Sequence, residues 1–206
     1  MMKAGSDAEN SDVKGWGTRL FNGLTAYDDN QYAQTVAAFT RLLDVEKLES
    51  LERAVVLAWR GAVYKLDSNY ESALADFKRA IELDSEYEWA IASRGPTYQL
   101  MESYDEALTD FDRAIELNPK YDWAIANRRE VYENLGRYED AIADYSRLLE
   151  RDPSDNSALS RRGLAYLLSK QYEKSIEDLT VAIRLEEHSA SYCCRTLAHL
   201  CLGKVE

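Results

Sequence analysis

The sequence predicts an all-α protein built from repeated helical hairpins. Three observations predict it. The chain of 206 residues repeats itself every 34: residues 88–121, 122–155 and 156–189 align without gaps, and 54–87 joins them in register. Self-similarity at such a period is the mark of stacked supersecondary units. Within each copy the apolar residues recur in steps of 3, 4 and 3, which puts them on one face of an α-helix. Only 3 Pro and 9 Gly are present, little of the turn punctuation that an all-β fold needs.

The elements follow in order. Residues 1–15 read as a disordered polar lead, and they lack the apolar stretch of a secretory signal. Residues 16–53 form a first copy, four residues longer than the rest. Copies 54–87, 88–121, 122–155 and 156–189 follow, and 190–206 is a terminal half-copy expected to form one helix. Residues 16–206 are expected to be a single array, because stacked hairpins bury one continuous core. In the second half of each copy an aromatic column reads Tyr32, Tyr70, Tyr104, Tyr138, Tyr172. A column seven residues further on reads Phe39, Phe77, Phe111, Tyr145, Leu179. The first half has its own stripe, Leu57, Gly61, Tyr64 in one copy and Leu159, Gly163, Tyr166 in another. Each copy is therefore two amphipathic helices, with small residues admitting close approach and aromatics filling the gaps beside them.

These residues resemble the tetratricopeptide repeat, in a multi-repeat array of bacterial type. One copy carries the pattern in Gly95, Tyr98, Tyr104, Ala107, Phe111, Ala114, Leu117 and Pro119. The resemblance covers roughly residues 16–206. It implies a right-handed α-solenoid of about five helical hairpins plus a C-terminal helix. It also implies a concave groove lined by the first helices, and a non-catalytic scaffold that binds a partner protein or peptide.

Two charged columns lie beside the apolar stripes. Arg60, Arg94, Arg128 and Arg162 precede the Gly column; Asp76, Asp110, Asp144 and Asp178 precede the Phe column. In an antiparallel hairpin the two columns are equally far from the turn. They are expected to form a ladder of structural ion pairs.

By the same resemblance, the second, sixth and ninth places of each copy line the groove. Those places hold Trp89 and Trp123, then Trp59, Ser93, Asn127, Arg161 and Arg195, then Ala62, Pro96, Glu130, Leu164 and Ala198. Trp and Arg are the residues most enriched at binding hot spots. Trp59, Trp89, Trp123, Asn127, Arg161 and Arg195 are the candidate contacts. Their chemistry suits a peptide with an acidic or C-terminal carboxylate end. Some members of the family hold such carboxylates in a clamp, but only Asn127 and Arg161 fit its pattern, while Ala92, Pro96 and Ser157 do not.

Two residues break the pattern. Pro96 falls inside a first helix, where it removes the hydrogen bond to the Ala92 carbonyl and is expected to kink the helix, leaving that carbonyl free near the groove. Arg129 stands in the column that otherwise reads Gly23, Gly61, Gly95 and Gly163. It is expected to reach outward or to push the helices apart, and with Pro96 it suggests a joint between the third and fourth copies.

The terminal helix is unusually apolar. Tyr192, Leu197, Leu200 and Leu202 offer an oligomer contact. Cys193, Cys194 and Cys201 read as buried small hydrophobes in a reducing cytoplasm. No phosphate loop, nucleophile elbow or zinc helix is recognisable, so no enzyme, cofactor or metal is expected. The net charge of −12 argues against nucleic acid or an anionic membrane as the main partner.

Overall fold

The computed structural model describes residues 29–44 and 48–203. The polar lead, Trp16 and Gly23 lie outside the described residues. Those described are helical, without a strand, and fall into two compact units that divide along the chain between Leu117 and Asn118. The first unit holds α1 (Asp29–Leu43), α2 (Ser50–Leu66), α3 (Tyr70–Leu83), α4 (Glu88–Leu100) and α5 (Tyr104–Leu117). The second holds α6 (Asp122–Asn134), α7 (Tyr138–Leu149), α8 (Asn156–Leu168), α9 (Tyr172–Leu185) and α10 (Ser189–Cys201).

The repeat and the helices coincide closely. α3, α5, α7 and α9 each begin on the aromatic column, and α4, α6 and α8 begin at residues 88, 122 and 156, where the copies begin. The largest departure is α2, which starts at Ser50, four residues before its copy. The surplus of the first copy is therefore an extra turn of α2, closed by the Glu52 carboxylate accepting from the Glu49 N–H at 3.1 Å.

Each hairpin turns through the same device. Ser68, Glu102, Gly136 and Lys170 adopt left-handed φ values of 59°, 59°, 67° and 63°. The next residue then donates back into the helix it has left, as Ser103 N to Tyr98 O at 2.9 Å and Gln171 N to Tyr166 O at 2.8 Å. This satisfies a carbonyl that the helix end would otherwise orphan. Only Gly136 holds that conformation without steric cost.

Packing explains the small column. A Cβ on Gly95 would lie 2.6 Å from the Phe111 ring, and one on Gly163 would lie 2.7 Å from Leu179 Cγ. Phe77 and Phe111 are fully buried, each worth about 2–3 kcal/mol of apolar burial. In the first unit Tyr32, Phe39, Val56 and Val63 form a cluster against which Trp59 packs. In the second unit Tyr145, Leu149, Ala158, Leu159 and Ala182 do the same work. α4 runs as a helix through Pro96, and Ala92 has no exposed surface. The expectation of a carbonyl open to a groove is thus corrected: close packing around α4 covers it.

Candidate functional site

The charged columns meet. Arg60 Nε and Nη2 donate to Asp76 Oδ2 and Oδ1 at 2.7 and 2.8 Å. Arg94 reaches Asp110 at 2.7 and 2.6 Å, and Arg162 reaches Asp178 at 2.6 and 2.9 Å. Arg128 and Asp144 make the same pair of bonds, with Nε to Oδ2 at 2.9 Å. All four carboxylates are buried. Each guanidinium also lies over the tyrosine four residues on, 5.6 to 5.9 Å from the ring of Tyr64, Tyr98, Tyr132 or Tyr166. Hydrogen bonding to Asp76 raises the Arg60 guanidinium above its ordinary value, against burial, and Asp178 does so for Arg162. Burial alone would lower Arg94, but the Asp110 carboxylate reverses the sign. Arg60 Nη1 also donates to Thr40 Oγ1 at 2.9 Å and Arg162 Nη1 to Ser146 Oγ at 3.0 Å, which ties each of these two hairpins to the one before. Each of these four arginines therefore has at least two donors committed to a buried aspartate.

The candidate contact residues divide. Trp59 and Trp89 come together, with ring centroids 4.6 Å apart and planes inclined by 34°. Both are half-buried, so they form one aromatic plate resting on the core of the first unit. Trp123 is 42 % exposed, with Tyr121 beside it at 6.0 Å. Asn127 turns its amide onto its own helix, donating to the Trp123 carbonyl at 2.7 Å. Arg195 lies over Tyr192 at 5.5 Å and reaches Thr180 Oγ1 at 3.4 Å. Ala62, Ser93 and Ala198, expected on a groove surface, are buried instead. They are small, and neighbouring helices close over them.

Arg161 is the most open of the group. Its side chain is 58 % exposed, and Glu133 Oε2 lies 3.9 Å from Nη1. Leu164 and Leu168 follow it on the same face of α8, and both are exposed. Leu168 shares its place in the repeat with Leu66 and Leu100, which are exposed as well.

Arg129 does not reach outward, and the two helices of its hairpin, α6 and α7, lie in looser contact than those of the other described hairpins, as a push apart predicts. It bends back along α6: Nε donates to the Ala126 carbonyl at 3.1 Å, and Nη1 to Tyr145 Oη at 2.7 Å. Its guanidinium covers the Tyr145 ring at 4.8 Å. The Tyr145 hydroxyl in turn donates to Glu133 Oε1. Burial first, then the hydrogen bond to Glu133, push the Tyr145 phenol above its ordinary value, with Arg129 pulling the other way. The sequence carried the signal as a double departure. Where Gly becomes Arg129, the opposing Phe becomes Tyr145 and supplies the acceptor that Arg needs.

On α10, Tyr192, Leu197 and Leu200 are exposed, and Leu202, which caps its C-terminus, is half-buried. Cys193 and Cys201 are exposed as well, which corrects the expectation of buried thiols. Cys193 and Leu197 occupy the places that Leu159 and Gly163 hold in α8, where the following helix covers them. Among the described residues no second helix follows α10. No group of three or more potential metal ligands occurs among the described residues, and no helix of theirs is long and apolar enough to cross a membrane.

The fold recurs in solved structures. One is YrrB, described as a tetratricopeptide repeat protein with an unusual peptide-binding site: 19 % identity, 82 % of this chain and 86 % of that chain covered, TM-score 0.71. Another is a tetratricopeptide repeat protein from Parabacteroides merdae: 16 % identity, 94 % and 73 % covered, TM-score 0.73. A third is MamA from Desulfovibrio magneticus: 21 % identity, 74 % and 86 % covered, TM-score 0.66. No curated protein matches in sequence. Family models described as tetratricopeptide repeat match residues 54–87, 92–121 and 130–190, most of the described chain. With the hairpins, their aromatic and small columns and these matches in agreement, the chain belongs to the tetratricopeptide repeat family.

Proposed function

We propose that the protein is a non-catalytic scaffold that holds a partner protein or peptide against the first helices of its hairpins. Trp59, Trp89, Trp123, Asn127, Arg161 and Arg195 are the proposed contacts. The observation that carries this reading is the α6 and α8 surface, where Trp123, Arg161, Leu164 and Leu168 stay exposed although the packing of the hairpins does not require it. Aromatic, cationic and aliphatic groups together suit an extended segment with an acidic or C-terminal carboxylate group flanked by apolar side chains. Family membership supports the scaffold role, and the peptide-binding site named for YrrB is a precedent on the same fold. The exposed thiols of Cys193 and Cys201 fit a reducing compartment, and we place the protein in the cytoplasm.

The test is a pull-down with the wild type beside a Trp123→Ala/Arg161→Ala double variant. Trp123 is preferred to Trp59, whose removal would also open the core cluster of the first unit. Partners held by the wild type and lost by a folded variant support the reading. Identical capture by both overturns it.

A second reading rests on α10. Its exposed Tyr192, Leu197 and Leu200 lie where a hairpin partner would pack, and a second copy of the chain is the proposed occupant. Light scattering at high concentration should then report a dimer that Leu197→Glu/Leu200→Glu dissolves. A strict monomer removes this reading.

A further inference from the structure

The α6–α8 surface holds a polar relay that the ion-pair ladder does not need. It runs Arg129, Tyr145, Glu133, Arg161. Arg129 Nη1 donates to Tyr145 Oη at 2.7 Å, and the Tyr145 hydroxyl donates to Glu133 Oε1. The other carboxylate oxygen, Glu133 Oε2, faces Arg161 Nη1 at 3.9 Å. That distance is within an ion pair but beyond a hydrogen bond. Two of the four groups are fixed: Tyr145 has no exposed surface, and Arg129 is clamped to both the Ala126 carbonyl and the phenol. Glu133 is 24 % exposed and Arg161 is 58 % exposed.

The arrangement divides one carboxylate between two tasks. An unconstrained Glu133 would close on Arg161 and occupy its donor fork with two short bonds, as the aspartates of the ladder do. Tyr145 prevents this by holding Oε1, so the nearest ion-pair contact of Arg161 remains the long one. We infer that Glu133 is an internal stand-in for an acidic group of the partner, and that Arg129 and Tyr145 hold it back so that Arg161 stays open to that group. The inference rests on the reading that Arg161 meets an acidic group. It adds that Glu133 competes for the same guanidinium, and that Arg129 and Tyr145 are positioning residues acting through it. Leu164 and Leu168 beside Arg161 set the chemistry of the partner's flanks: a carboxylate next to aliphatic side chains.

The experiment uses the full chain and two fluorescein-labelled dodecapeptides, one alternating Leu and Glu, the other alternating Leu and Gln. Affinity is read by fluorescence anisotropy at fixed ionic strength. Arg161→Ala should abolish the preference for the Glu peptide. Glu133→Gln removes the competitor and should tighten the Glu peptide about threefold, the scale of an exposed ion pair, and leave the Gln peptide unchanged. Glu139→Gln removes the same charge from the neighbouring helix α7, at an exposed place that is not among the groove positions. It should have little effect, which separates local competition from net charge. Tyr145→Phe frees Glu133 to close on Arg161 and should weaken the Glu peptide. If that variant unfolds by circular dichroism, Glu133→Gln decides alone. Loss of preference in Arg161→Ala together with no gain in Glu133→Gln, or with an equal gain in Glu139→Gln, overturns the inference but leaves the proposed function standing. No preference for the Glu peptide in the wild type overturns both.

Discussion

At the scale of single residues, the strongest local commitments are the Arg–Asp pairs. Asp110 is 3 % exposed and accepts two bonds from Arg94. Asp110→Ala strands a guanidinium that is largely shielded from water, which should cost about 3 kcal/mol and lower the melting temperature clearly. Replacing both partners with apolar residues, as Arg94→Met/Asp110→Leu, should cost less, because no buried charge is left unpaired. Equal losses in the two variants would show that packing, not charge, dominates there. Tyr145 gives a pH dependence. Its phenol is raised in the folded protein, so its contribution to stability is full below the ordinary value of about 10 and is lost as the pH rises past it. Denaturant titrations above neutral pH should show an alkaline loss of stability in the wild type that is smaller in Tyr145→Phe. Parallel curves for the two proteins would remove Tyr145 as the cause.

At the scale of the helices, the columns act as matched surfaces rather than as separate preferences. Gly95 and Gly61 occupy the same column, but their surroundings differ. A Cβ meets Phe111 at 2.6 Å in the first case and Ala73 O, Asp76 Cβ and Phe77 Cδ1 at 3.2 to 3.3 Å in the second. Gly→Ala inside a helix gains about 1 kcal/mol from backbone propensity. Gly61→Ala should therefore be near neutral, while Gly95→Ala should lose about 1–3 kcal/mol through overpacking against a fully buried ring. Chemical denaturation of the two variants checks the difference, and equal effects would refute the packing argument. Helix bounds were largely legible in the sequence, because aromatic and small residues recur at fixed places and the same residues begin α3, α5, α7 and α9. The early start of α2 was not. The four surplus residues of the first copy have no internal template, and only the hydrogen bond between Glu49 and Glu52 reveals where they went.

At the scale of the whole molecule, the net charge of −12 sits on a chain whose four buried aspartates are each neutralised by an arginine. The net negative charge is therefore carried by the other groups, and where these are exposed salt screens them while the buried pairs feel little of the change. Raising NaCl from about 20 to about 300 mM should raise the melting temperature by a few degrees, as self-repulsion is screened. A fall would mean that exposed ion pairs such as Arg79–Glu82 and Arg137–Asp140 outweigh the repulsion. The same charge makes the open Arg161 notable as a place where an acidic segment can be met.

The repeat, the two helices of each copy and the pairing of the Arg and Asp columns could all be read along the chain. These follow from periodicity and from counting residues to a turn, quantities that one chain carries along its length. Which apparent surface residues are in fact exposed depends on how the helices pack. Ala62, Ser93 and Ala198 share register positions with exposed residues, yet neighbouring helices cover them. Trp59 and Trp89 lie in different copies, and their contact appears only when α2 and α4 stand side by side. Arg129 is the sharpest case. In the sequence it is an intruder in a glycine column; in the fold it is one end of a relay through Tyr145 and Glu133 toward Arg161. The physical reason is the same in each case. Local pattern fixes the face on which a side chain starts, and the neighbours brought in from other helices fix what that side chain meets.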